Sequence, residues 1–317
     1  MSSEDYLDLD ELDFLEDSSF DEFDEFDLED LPAAEAIAVG DLSTEMQVVV
    51  GVTGVTLMRQ LVASGRVPHD AVGSRLLMRV IEESRPLLQA AITPAALSAA
   101  QRGRNSAINT INQIGSVPNV PFSGIPNRML DAVRQSAFNA SVRTMNRLTG
   151  NIKDVLETSF REGLGIQDTR QLLEDVFVNM ERFELNRIAR TEIQHFQNQG
   201  SFETMQELGV HYHEWVTAGD DRVRQSHADI HGEIVVVGEL FSNGLRYPLD
   251  ESGPSEEWVN CRCRTAPFIV PPDMVPPDQG PFYASDLSEV MKQLRKDRYT
   301  WRDMIQKVSV WRQRWSQ

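Results

Sequence analysis

At 317 residues the chain is long enough for a sizeable core and for two domains, and 41% hydrophobic residues is ordinary for a soluble protein. Two cysteines exclude a disulfide scaffold and point to a reducing compartment. No apolar run reaches the ~18 residues of a membrane span, the nearest being Met46 to Met58, so no membrane partner is expected. The net charge of −19 is uneven: residues 1–31 hold 15 Asp and Glu with no Lys or Arg, leaving 34 acids against 30 bases elsewhere.

The acidic start is no secretory signal, and carboxylate repulsion predicts a disordered tail over residues 1–31. Leu7, Leu9, Leu12, Leu15, Phe14, Phe20, Phe23 and Phe26 recur among the acids, a pattern that suits either a basic partner surface or a solubility tail. Residues 32–183 read as a helical domain. Leu76, Leu77, Val80 and Ile81 share one helical face, a Pro/Gly/Ser/Asn loop spans 115–128, and Leu130 to Leu148 keep a period near 3.6 up to a break at Gly150 and Asn151. Asp168 is the expected N-cap of the helix carrying Leu172, Leu173, Val176, Phe177, Met180 and Phe183.

A long polar helix is expected from Glu184 to Leu208, stopping at Gly209. Two strands follow, Val210 to Thr217 and Glu233 to Phe241, the first placing His211, His213 and Trp215 on one face. This gives a small α+β module over 184–270, a stiff proline linker over 271–283 and a basic, aromatic C-terminal helix over 284–317. The fold class is therefore α+β: a mainly helical body, then a small α+β module between two charged ends.

Five of the six histidines lie between His195 and His231. If Asp220 caps a helix that Gly232 ends, His227 and His231 stand at i and i+4 on one face. With Cys261 and Cys263 they form a candidate tetrahedral Zn²⁺ set, with His213 a further candidate donor. The alternative reading is that the thiols and imidazoles are hydrogen-bonded core groups. A C-x-C disulfide would close a very small strained ring. "HADIH" has zincin spacing, but Ala228 stands where the general-base Glu belongs, and no complete catalytic motif is found. Asp220 and Asp221 read as a cap and a dipole partner.

The series Arg190-Thr191-Glu192, Gly209, Trp215, Thr217, "DDRVRQSH" over 220–227, Gly232, Tyr247-Pro248 and Asn260-Cys261-Arg262-Cys263 resembles the phage Mu F-like head morphogenesis family over about residues 188–267. Its D-x-R falls on Asp220 or, slid by one, on Asp221 ahead of Arg224. His231 departs from the family by standing where Asp is common.

The resemblance implies a minor capsid protein of a tailed phage or prophage. Such a protein associates with the portal protein inside the capsid after assembly in the host cytoplasm, and acts in head assembly, DNA packaging or ejection. The tail would then meet scaffolding or major capsid protein. The C-terminal helix would meet phage DNA or a protein groove through Arg295, Lys296, Arg298, Trp301, Arg302, Trp311, Arg312, Arg314 and Trp315. The competing functions are a metal-dependent hydrolase or phage-delivered toxin module, and a DNA-binding protein acting through that helix. About 50 residues after Cys263 are short for a catalytic domain, which favours the structural reading.

Overall fold

The computed structural model describes residues 31–68, 71–114, 120–180 and 184–290, with the side chains of 71–74 and 76 left out. The acidic tail, apart from Leu31, and all nine C-terminal contact candidates from Arg295 to Trp315 lie outside these residues. Five helices build the body: α1 (Ala33–Ser64), α2 (Ala71–Ile114), α3 (Asn127–Glu162), α4 (Ile166–Asn179) and α5 (Leu185–Glu207). Their shared core takes Val39, Leu42, Met46, Val50, Leu57 and Leu61 from α1, at spacings of three, four or seven that keep one face inward. From α2 it takes Leu77, Leu88, Ile92 and Ala96, and from α3 Val133, Ala137, Leu148 and Ile152. By length and composition α1 could cross a membrane, with a mean hydropathy of 1.4 over its most apolar stretch; glycines and Thr within that stretch hide it from a search for unbroken apolar runs. Its inner face packs on α2, α4 and α5 as a core helix does, while Ile37, Val48, Val52 and Val55 face outward.

Three expectations about helices are corrected. α3 runs through Gly150 without a break, because one interior glycine costs only about 1 kcal/mol and Leu148 and Ile152 on either side are fully buried. Asp168 is not the N-cap of α4. Gly165 holds that position, and Asp168 lies in the first turn, where its charge meets the helix dipole. α5 looked polar, yet 16 of its 23 residues are buried. It is the central helix. Leu185, Ala189, Ile193 and Phe196 face the helical core, while Asn198, Ser201 and Phe202 turn towards the sheet.

α2 and α5 cross with almost no space between their backbones. A Cβ on Gly103 would stand 1.9 Å from the Gln197 carbonyl oxygen, and one on Gly200 would stand 2.1 Å from the Ala100 carbonyl oxygen. Glycine on both helices is what permits this approach. Arg104, buried beside the crossing, ties α2 to Glu207 of α5 at 2.5 Å.

After α5 the chain forms β1 (Tyr212–Val216), a one-turn helix α6 (Gln225–Ala228), β2 (Ile234–Val236), a one-turn helix α7 (Ser255–Trp258) and β3 (Arg264–Phe268). The sheet is antiparallel in the order β2-β1-β3, with Tyr212 opposite Val236 on one side and Phe268 on the other. Both faces are covered. Trp215 joins Ile230, Val235, Phe241, Leu245, Leu249 and the two cysteines on one face. Tyr212 joins Ile234, Val270 and Phe282 on the other. Because its carbonyl and Thr265 N–H face α5, β3 finds a substitute strand there: Asn198 donates to the Cys263 carbonyl and accepts from Thr265 N–H, both at 3.0 Å.

The proline-rich stretch 271–283 does not act as a spacer. It contributes β4 (Met274–Val275), which pairs with β5 (Ser288–Glu289), and Phe282 exchanges both backbone hydrogen bonds with Ile234. Burial of Val275 and Phe282 outweighs the stiffness of the prolines. The expected start of a helix at residue 284 is replaced by a short 3₁₀ turn, Ala284–Asp286, and then β5. The division drawn at residue 184 likewise separates α5 from a core to which it belongs.

Candidate metal centre

Two turns meet beside Trp215. The first, residues 217–232, leaves β1 and returns to β2. The one-turn helix α6 starts after Arg224, not at Asp220, and ends at Ala228. The backbone then bends at Gly232, whose φ of 79° is left-handed and whose N–H donates to the Trp215 carbonyl at 2.8 Å. Helical spacing therefore does not hold between His227 and His231. His227 is buried against the edge of Trp215, with ring centroids 5.0 Å apart. His231 is exposed, and its Nδ1 accepts from Thr217 N–H at 3.2 Å.

The second turn, residues 257–263, carries the cysteines. Asn260 has a φ of 55°, a conformation that asparagine tolerates better than most residues. Its N–H donates to Thr191 Oγ1 on α5 at 3.2 Å. Both thiols are free and buried. His227 Nδ1 lies 3.5 Å from Cys261 Sγ and 3.4 Å from Cys263 Sγ, while Cys263 N–H points at Cys261 Sγ from 3.3 Å. On its other side, His227 Nε2 is 2.9 Å from Glu257 Oε2, which also accepts from Ser226 Oγ at 3.0 Å.

Three of the four expected metal donors thus converge: His227, Cys261 and Cys263 place their ligand atoms within 4.8 Å of one another. His231 is not among them, because it is committed to Thr217. His213 is not among them either. Its Nδ1 pairs with Thr265 Oγ1 at 2.8 Å, and burial lowers its pKa to about 3. It shares a buried face with Trp215, whereas His211, just before the strand, is exposed. Hydrogen bonding from Cys261 draws Cys263 down to about 5 against the effect of burial, with further help from His227. Burial and the neighbouring sulfur push Cys261 up.

The other signature residues tie these turns together. Arg262 forks onto Asp220, whose carboxyl is held below its usual range chiefly by that bond. Both aspartates of "DDR" are exposed, and Asp220 is the one that carries the Arg262 ion pair. Arg224 donates to the Val259 carbonyl. Arg190 and Thr191 are buried on α5, and Glu192 is buried beside them.

Glu192 meets its counter-charge on another helix. It accepts from Arg143 of α3 at 2.7 Å, and the same guanidinium reaches Glu251 at 2.6 Å. Burial raises the Glu192 pKa even so, with Arg143 opposing. His195 Nδ1 completes this corner at 2.7 Å from the Leu249 carbonyl, where Leu249 has a φ of 67°. Sequence reasoning missed Glu257, Arg143 and Glu251. Glu257 carried one weak signal: it falls four residues before Cys261, in the short run that closes on the cysteines.

Comparison with known proteins points to the same stretch. Residues 150–266 match the family described as Phage Mu protein F like protein. The chain is also similar to the uncharacterized protein YqbB of Bacillus subtilis (strain 168), at 27% identity over 161 residues, covering 48% of this chain and 52% of that protein. It therefore spans about half the length of the curated relative it matches. No solved structure matches the chain.

Proposed function

We propose that this chain, which carries a Mu F-like module over residues 150–266, is a head morphogenesis protein of a tailed phage or prophage. In this reading it is a minor capsid protein that sits with the portal inside the head and assists assembly, DNA packaging or ejection. The family match carries the reading. It is supported by the way the signature residues cooperate: Thr191, Asp220, Arg224, His227, Asn260, Arg262 and both cysteines meet in one knot of contacts and are not spread over a surface cleft.

The metal-dependent hydrolase alternative gains less support. The carboxylate that touches the imidazole, Glu257, is occupied by His227 and Ser226, and among the described residues no other carboxylate joins the group as an evident general base. The acidic tail is the proposed contact for scaffolding or major capsid protein, and the basic C-terminal segment the proposed contact for phage DNA.

The test is co-expression of the tagged chain with the portal protein encoded beside it. Co-purification of a portal ring supports the proposal. A soluble, folded chain that never retains the portal, and that is absent from purified heads, overturns it. Salt-sensitive DNA binding lost on removing residues 291–317 would add the nucleic-acid contact.

A further inference from the structure

We propose that His227 Nδ1, Cys261 Sγ and Cys263 Sγ bind one zinc ion through three protein ligands, with water in the fourth position. This proposal does not depend on the head-protein reading. The first argument is distance. Zinc holds thiolate at about 2.3 Å and imidazole at about 2.0–2.1 Å, so tetrahedral angles set nitrogen and sulfur about 3.5–3.6 Å apart. The two N···S separations are 3.5 and 3.4 Å.

A hydrogen bond alone could explain one of them. With His227 neutral it does not explain both, because Nδ1 then offers a single lone pair and can accept from one S–H. Two sulfurs at nearly equal distance from one nitrogen lone pair surround a common point, as ligands of one ion do.

The second argument is the support around the donors. Glu257 faces His227 Nε2 at 2.9 Å, so Nε2 carries the proton and the Nδ1 lone pair points at the sulfurs. A carboxylate behind a ligating histidine fixes its tautomer and ring orientation. The Cys263 N–H aimed at Cys261 Sγ from 3.3 Å favours sulfur in its charged form. The third argument is charge. Two thiolates, one neutral imidazole and Zn²⁺ sum to zero, so all three ligands can be buried, as they are, without a net charge in the core. Among the described residues no fourth His, Cys, Asp or Glu atom joins the group, which leaves the remaining position to water. The ion would fasten the 217–232 turn to the 257–263 turn, a role that needs no catalysis.

The experiment uses the full chain, stripped of metal by chelator and titrated with Zn²⁺ and separately with Co²⁺. One equivalent of zinc is expected to bind. Cobalt should give a sulfur-to-metal charge-transfer band together with the intense visible bands of a tetrahedral site. Cys263→Ser should abolish the charge-transfer spectrum or weaken it sharply. Glu257→Gln, which keeps all three ligands, should weaken zinc binding about 10–100-fold. His231→Ala should leave both titrations unchanged.

A folded wild type that binds neither metal stoichiometrically overturns the proposal. So does cobalt binding without a sulfur band, or binding that survives Cys263→Ser undiminished. If Cys263→Ser fails to fold, the wild-type cobalt spectrum and the Glu257→Gln affinity decide the question without it.

Discussion

Replacing Gly200 by alanine is the sharpest test of how the helices meet. In an exposed helix the change would stabilise by about 0.8–1 kcal/mol, because glycine is the poorer helix former. Here the new methyl would sit 2.1 Å from the Ala100 carbonyl oxygen and 2.7 Å from the Ala100 Cα. That is more than 1 Å inside van der Waals contact. The obstruction is backbone, so no side chain can swing aside, and α2 and α5 must separate along their crossing. Overpacking of this kind costs about 1–3 kcal/mol or more, and a rigid neighbour places it at the upper end. After the propensity gain, a net loss of about 2 kcal/mol is expected.

Urea denaturation followed by far-UV circular dichroism measures it. Gly150→Ala serves as the control, since a Cβ there meets nothing within 4 Å. That variant should gain up to about 1 kcal/mol. Gly103→Ala should lose as much as Gly200→Ala. The double variant should lose less than the sum, because helices already forced apart accept the second methyl more easily. If Gly200→Ala stabilises as Gly150→Ala does, the close crossing is wrong.

Other consequences can be measured on the same material. The His213 pKa falls from 6.5 unfolded to about 3 folded, so its contribution is fully present above pH 6.5 and is lost as pH drops towards 3. Between pH 7 and pH 5 wild type should lose about 2 kcal/mol more stability than His213→Gln; equal losses would contradict its burial as a neutral ring. Arg143→Met should cost about 2–3 kcal/mol by leaving Glu192 buried without its counter-charge, and adding Glu192→Gln should recover part of it. Asn198→Ala should cost about 2 kcal/mol, measured by urea midpoint, because the Cys263 carbonyl and Thr265 N–H both lose their partner. Asp220→Asn should cost about 0.5–1 kcal/mol for a partly exposed pair, whereas Asp221→Asn should change little.

The helices were legible because their apolar residues repeat at 3.6, as Val133, Ala137 and Leu148 show in α3. The role of α5 was not, because its buried face is built from Gln194, His195, Asn198 and Gln199. A polar residue can line an interior when it finds partners, and Asn198 finds its partners 65 and 67 residues away. No local pattern announces such a pairing. Of the four metal candidates read from the sequence, His227, Cys261 and Cys263 come together and His231 does not. The error at His231 came from extending one helical turn into three, while the backbone instead bends at Gly232 to rejoin β1. Glu257 and Arg143 escaped notice for the same reason as the Asn198 contacts: their meaning lies in residues distant in sequence.

The stretch that resembles other proteins is not the stretch that folds. The match to the Mu F-like family begins at residue 150, in the middle of α3. Arg143 and Arg147 lie just upstream, yet they hold Glu192 and Glu184 well inside the matched stretch. The glycine that lets α5 seat itself, Gly103, lies further upstream still. A fragment cut at the borders of the resemblance would carry an orphaned carboxylate and a bare helix flank into water. The matched segment therefore leans for its stability on the helices in front of it.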